Sequence, residues 1–173
     1  MSWVLLMLGT LFGIDAEDPH LEHGLQLAYF DKPLTGFLRE SNHDDGSIRH
    51  LTRYVDGERV AAYKWYPGGA RGFVKIYRNG KRHGKYVDWW RTGEVKHSRV
   101  FVNGIQQGEV IASYRDGTLE KRFNYVDGKQ RGRQQLWNSD GSVRANFVMT
   151  ATRRYGLIGE KVCNGGPSDR TEL

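Results

Sequence analysis

With a single cysteine, Cys163, among 173 residues, the chain has no internal disulfide framework and no cysteine-based zinc site. Proline is scarce, at four residues, and no long polar tract occurs, which argues against a disordered or collagen-like chain. Hydrophobic residues make up only 38%, below the usual share of about 45–50%. Neither sign of charge dominates: 26 Lys and Arg stand against 20 Asp and Glu along the whole length, a net +6, and a strongly basic tail is excluded. No apolar run is long enough to span a bilayer, which takes about 20 residues; the segment from Trp3 to Ile14 has 12. Enzyme motifs are missing as well: there is no Gly-x-Ser-x-Gly, no His-Glu-x-x-His, no phosphate-binding glycine loop and no dinucleotide fingerprint. The length suits one ordinary domain of about 100–200 residues.

What the chain does have is glycine, 22 residues, and aromatics, 12%, a composition that points to turns and strands. Glycines stand at 46, 57, 69, 80, 93, 104, 117, 128 and 141, at spacings of 11, 12, 11, 13, 11, 13, 11 and 13, so a unit of 23 to 24 residues repeats. The clear units open on Tyr54-Val55-Asp56-Gly57, Tyr77-Arg78-Asn79-Gly80, Phe101-Val102-Asn103-Gly104 and Tyr125-Val126-Asp127-Gly128, and an imperfect copy begins near Phe30. Seven of the nine glycines follow Asp or Asn, the strongest short hairpin signal, because both central residues of a type I′ turn need positive φ. The residues between turns alternate as strands do. Each unit is therefore expected to be one two-stranded hairpin.

Four residues before the later glycine of each unit stand Trp65, Trp89, Ser113 and Trp137, and the neighbouring column on the opposite face holds Tyr66, Trp90, Tyr114 and Asn138. A period of two sets Val95, Phe101, Leu119, Phe123, Tyr125, Val143, Ala145 and Phe147 on one face. Lys75, Arg99 and Lys121 interrupt those columns, so neither face is uniformly apolar. The expected fold is all-β: a single-layer, twisted antiparallel β-meander of tandem hairpin repeats, held by cross-strand aromatic ladders and long Lys and Arg stems.

The block YRNGKRHGKYVDWWRTGEVKHSRVFVNG, residues 77 to 104, resembles the variant MORN repeat, and YVDGKQRGRQQLWNSDGSVRANF from Tyr125 is close to it. The likeness covers about residues 30 to 150. It implies the hairpin fold. Proteins with this variant are often described as antitoxin-like or of unknown function, and relatives with the standard repeat are scaffolds for protein interaction or membrane contact. The unit from Tyr54 departs from the pattern, with Gly57-Glu58 for Gly-Lys and Ala61 for the second glycine, which predicts a locally wider or more twisted hairpin. Residues 151–173 follow the repeat as a C-terminal cap and tail, expected to cover the last open edge.

Residues 1–16 read as a secretory signal peptide, with Ala16 the last residue before cleavage and no Lys or Arg ahead of the apolar run. That places the mature chain in the periplasm or cell envelope, with residues 17–29 as an N-terminal segment. A buried N-terminal strand or helix of a cytoplasmic protein is the alternative.

Candidate chemistry is sparse, and no cofactor is expected. Cys163, beside Asn164-Gly165-Gly166, is either a small buried residue under the cap or a reactive thiol, with Lys161 favouring the thiolate. His20 and His23 form His-x-x-His among Glu17, Asp18 and Glu22; two imidazoles hold copper or zinc only with a third ligand, which no spacing identifies. Lys75, Arg78, Lys81, Arg82 and Lys85 interleave with Trp89, Trp90 and Arg91 as in nucleic-acid binders, but Asp88 and Glu94 are mixed in and that partner ranks last. The reading that remains is a non-enzymatic scaffold binding a protein partner, of antitoxin or immunity type, through Trp65, Tyr66, Trp89, Trp90, Arg91, Tyr114 and Trp137. Peripheral attachment to an anionic lipid surface, or a metal- or thiol-linked accessory role in the cell envelope, are the alternatives.

Overall fold

The computed structural model of the protein describes residues 14–23 and 26–158. These form strands and no helix: β1 (Ile14–Asp15), β2 (Leu21–His23), β3 (Leu27–Tyr29), β4 (Lys32–Pro33), β5 (Gly36–Asn42), β6 (Ile48–Val55), β7 (Glu58–Trp65), β8 (Arg71–Arg78), β9 (Lys81–Arg82), β10 (Gly84–Trp89), β11 (Val95–Val102), β12 (Ile105–Ser113), β13 (Leu119–Val126), β14 (Lys129–Trp137), β15 (Val143–Met149) and β16 (Arg154–Leu157). From β5 to β16 each strand pairs antiparallel with the next in the chain, β9 and β10 together serving as one strand interrupted at His83, and β1 joins the β5 edge in parallel. The protein is thus all-β, an open meander of consecutive hairpins.

Two kinds of turn alternate. At Asp56-Gly57, Asn79-Gly80, Asn103-Gly104 and Asp127-Gly128 both central residues have positive φ, 49° and 77° at the first, which is the two-residue type I′ hairpin. The Asp-Gly turns at Gly46, Gly117 and Gly141 depart from that expectation. There only the glycine is left-handed, and the aspartate carboxylate instead accepts the N–H two residues on: Ser47 to Asp45 at 2.9 Å, Thr118 to Asp116 at 2.9 Å, Ser142 to Asp140 at 2.8 Å. These are five-residue turns, closed by the first residue's N–H on the fifth residue's carbonyl: His43 to Ser47, Tyr66 to Ala70, Trp90 to Glu94, Tyr114 to Thr118 and Asn138 to Ser142. Loop length decides the difference, because longer hairpin loops are built around an ordinary type I turn and do not need two left-handed residues in succession.

Beside the wide turns the register shifts, at Lys64/Trp65, Asp88/Trp89, Ala112/Ser113 and Leu136/Trp137, leaving Gly72, Lys96, Glu120 and Arg144 as extra residues. An extra residue reverses the in-out alternation. The expectation that Val95, Leu119 and Val143 share a face with Phe101, Phe123, Tyr125, Ala145 and Phe147 is therefore corrected. Val95 pairs with Trp89 and Val143 with Trp137, so they lie on the tryptophan side, since residues paired across strands share a face.

The sheet consequently has a phenylalanine face and a tryptophan face. On the first, Tyr86 and Phe101 are only 6% and 5% exposed, although element contacts run mainly between neighbouring strands and not between layers. Long cationic side chains supply the cover: Arg82 lies over both rings at 5.7 and 5.4 Å, Lys75 over Phe73 at 3.9 Å, Lys121 over Phe123 at 5.5 Å and Arg154 over Phe147 at 5.8 Å. Their stems shield the rings while the charges stay near water, and burying each such ring stabilises by about 1.5–3 kcal/mol.

The two ends of the sheet differ. At the first, β2, β3 and β4 make a small separate sheet around Leu27, Leu34 and Leu38, joined by Ile14, Ala16, Leu21, Tyr29 and Tyr54. Gly57 fits beneath it, where a Cβ would meet Gln26 Cβ at 2.7 Å and the Leu27 carbonyl at 2.9 Å. Phe30 falls in the β3–β4 turn, so the large sheet proper begins at Gly36. At the other end β16 pairs with β15 and becomes the new edge, its four residues all exposed.

Candidate functional site

The column that opens the wide turns performs one repeated task. Tyr66 Oη donates to the Trp89 carbonyl at 3.1 Å, Trp90 Nε1–H to the Ser113 carbonyl at 2.9 Å and Tyr114 Oη to the Trp137 carbonyl at 3.0 Å. His43 Nε2 starts the series on the Trp65 carbonyl at 3.1 Å. Each turn is tied to the last strand residue of the next hairpin, 22 or 23 positions ahead. Asn138, the final member, bonds Ser142 inside its own turn at 2.9 Å. Lys96 and Arg115 also lie over the Trp90 ring, at 4.4 and 5.6 Å. The polar ends of Tyr66, Trp90 and Tyr114 are thus engaged within the sheet, and Arg91 beside them is exposed.

A second ladder at the tight-turn end escaped the sequence reading. The residue before each second glycine bonds the following tight turn: Thr35 accepts the Asp56 N–H at 2.9 Å, His83 Nδ1 accepts the Asn103 N–H at 3.4 Å, and Gln107 both donates to Asp127 Oδ1 at 2.7 Å and accepts its N–H at 3.1 Å. The corresponding residue of the divergent unit is Val60, which has no polar atom, and Asn79 receives no such tie among the described residues. The β6–β7 register shift at Arg53/Tyr54 inserts one extra residue, against two in β11–β12 and β13–β14, so the departure of this unit shows both at the bulge and at the tie. The signal was present as a polar column, Thr35, His83, Gln107 and Arg131, at the repeat period.

The other aromatic column is oriented differently. Trp65, Trp89 and Trp137 stand on the tryptophan face, with Ser113 in the place between Trp89 and Trp137. Members two strands apart are separated by about 10 Å. Tyr63 stacks on Trp65 at 5.9 Å and Arg71 lies 5.6 Å from the Trp89 ring centre. Across the middle of this face the register sets one row, Leu51, Tyr63, Val74, Val87, Ser98 and Ile111, which continues as Arg122, Gln135 and Asn146. The half spanning β6 to β12 is apolar and the remainder polar. Arg53, Arg71, Arg78, Lys81 and Lys85 lie on the apolar half, together with the carboxylates of Glu58 and Glu109.

The basic residues singled out beside Trp89 and Trp90 are divided by the sheet: Lys75 and Arg82 cover rings on the phenylalanine face, and Arg78, Lys81 and Lys85 lie on the other. His20 stacks on Phe30 at 4.1 Å and its Nδ1 is 3.2 Å from Asp18 Oδ1, while His23 is exposed at the end of β2. Among the described residues no group of three or more metal-ligating side chains converges. Cys163 lies outside the described residues.

Burial lowers the His50 and His97 pKa values, and neighbouring cations, Lys64 for His50 and Arg99 for His97, act in the same direction. Tyr86 is raised, by burial first, and its hydroxyl makes no hydrogen bond among the described residues. Hydrogen bonds from Ser47 and Ser142 lower Asp45 and Asp140.

No family model matches the chain, and no curated protein sequence matches it.

Proposed function

We propose that the protein is a partner-binding scaffold whose interface is the apolar half of the tryptophan face. The observation that carries this reading is the half-buried row from Leu51 to Ile111, flanked by Trp65 and Trp89 and rimmed by Arg and Lys. Tryptophan, tyrosine and arginine, here Trp65, Trp89, Tyr63, Arg53 and Arg71, are the residue types enriched at interface hot spots. Tyr66, Trp90 and Tyr114 move from contact residues to braces that hold the face rigid, and Trp137 borders it beyond Ser113. Antitoxin- or immunity-type binding fits the resemblance of residues 77 to 104 to the variant MORN repeat; export rests on the apolar run from Trp3 to Ile14, and cleavage after Ala16 would remove β1 from the first edge.

The test is capture of partners by the full-length wild-type chain and two double variants in parallel. A stoichiometric protein held by wild type and by Tyr66→Phe/Tyr114→Phe, and lost with Trp65→Ser/Trp89→Ser at unchanged fold, supports the interface. Equal capture by all three refutes it. Attachment to anionic vesicles that falls steeply between low and high salt would identify the lipid reading instead.

A further inference from the structure

Among the described residues the first edge of the large sheet is covered and the last is not. At β5 the edge is covered by β1, by the Arg39–Asp15 pair at 2.7 and 2.8 Å and by the small sheet over Leu27, Leu34 and Leu38. At β16 the described chain adds nothing beyond the strand itself. Proteins usually protect such an edge with proline, a bulge or a charge that an incoming strand would bury. Here β16 reads Arg154-Tyr155-Gly156-Leu157, and its cation lies across the Phe147 ring at 5.8 Å.

Alternation gives this edge two different sides. Tyr155, opposite Val148, and Leu157, opposite Asn146, point to the tryptophan face, and Val148, Tyr155, Leu157 and Ile158 are 45%, 55%, 48% and 52% exposed. Beside the strand is an open cleft of about 500 Å³, whose lining includes Lys129, Arg131, Arg153 and Arg154 and no carboxylate. Arg131 is held across it by hydrogen bonds from Nη1 to the Gln130 and Thr150 carbonyls, at 2.9 and 3.2 Å. From Gly141 to Ile158 the sequence contains Arg144, Arg153 and Arg154 and no Asp or Glu. The acids of the repeat domain concentrate in its turns, so the edge and its cleft carry one sign of charge.

We propose that β16 is a docking edge for an extended acidic segment of a partner protein, which adds as the next strand. Backbone pairing with β16 supplies the register. Alternate apolar side chains of the segment cover Val148, Tyr155 and Leu157, and the carboxylates between them reach Arg154 and the cleft cations. A second copy of this chain is a poor occupant, because two such edges set arginine against arginine, with no carboxylate on β16 or in the lining of its cleft to relieve them. The proposal rests on the partner-binding reading but uses a different surface from Trp65 and Trp89.

The probe is a fluorescent ten-residue peptide alternating valine and glutamate, titrated by anisotropy into the full-length protein. Controls are a valine–lysine peptide and a valine–glutamate peptide N-methylated at alternate residues, which keeps its charge but cannot complete the pairing. Binding of the acidic peptide, weakened at least tenfold by N-methylation and at least tenfold by Arg153→Glu/Arg154→Glu, is expected, with no binding of the lysine peptide. Leu157→Glu gives an independent check if the double reversal unfolds the end of the sheet. Equal binding of the N-methylated peptide, or complete displacement by inorganic pyrophosphate, would reduce the site to a simple anion cleft and overturn the docking edge. A dimer broken by Leu157→Glu would overturn it in favour of self-pairing. Failure of the peptide with continued Trp65- and Trp89-dependent capture removes this inference alone.

Discussion

Replacing Tyr66 and Tyr114 by phenylalanine removes two oxygen atoms and leaves both rings. Each hydroxyl donates to a backbone carbonyl of the next hairpin, at 3.1 and 3.0 Å in partly buried surroundings. A bond of this kind contributes about 0.5–1.5 kcal/mol net. The two sites are four strand spacings apart, about 19 Å, well beyond the range of about 7–10 Å within which effects couple. The double variant is therefore expected to lose the sum, about 2 kcal/mol, which lowers the Tm of a chain this size by about 4–8 °C. Thermal unfolding followed by circular dichroism measures it, with partner affinity recorded on the same samples. The expected outcome is a lower Tm at unchanged affinity. A Tm within about 1 °C of wild type would refute the tie, and lost affinity at unchanged Tm would return these hydroxyls to the interface.

Other perturbations test separate parts of the structure. Tyr86→Phe removes an enclosed hydroxyl that has no hydrogen-bond partner among the described residues and should raise stability by about 1 kcal/mol, read from the denaturant midpoint at constant m. Gly80→Ala, at φ +69° with nothing within 4 Å, should cost only the left-handed strain of about 1–2 kcal/mol, whereas Gly57→Ala should cost more because its Cβ would meet Gln26 and Leu27; equal losses would contradict the close approach of the small sheet. Because burial lowers the folded-state pKa of His50 and His97, the unfolded chain binds protons first as pH falls. Their contribution is complete above the ordinary histidine value of about 6.5 and is lost below it, so Tm should fall from pH 7 to pH 5, and less steeply in His50→Gln/His97→Gln. A chain beginning at Glu17 loses the Ile14–Leu38 pairing and the Asp15–Arg39 pair, and should show a lower Tm and faster amide exchange in β5.

Much of the architecture was legible because its determinants are local and repeated. Asp-Gly and Asn-Gly pairs at a regular period specify hairpins through φ alone, and the repeat carries each hairpin to its neighbour. The face assignment was not legible in the same way. Lys96, Glu120 and Arg144 do not look different from paired strand residues, yet as bulges they turn Val95 and Val143 to the side opposite Phe101 and Phe147. The roles of the aromatics were equally hidden. Trp89 and Trp90 are adjacent and chemically identical, but one ring stands on the open face and the other reaches a carbonyl a full repeat away.

The sequence by itself determined the all-β class, the repeat length, the positions of the turns and the single-layer character, since turn propensity and alternation act within a few residues. Only the tertiary structure decided which Asp-Gly turns are tight and which wide, which face each column occupies, which polar side chains lace one hairpin to the next, and that β1 covers the first edge while β16 is the last described strand at the other. Those outcomes depend on register and on contacts between residues more than 20 positions apart, where the side chain of one repeat meets the backbone of another.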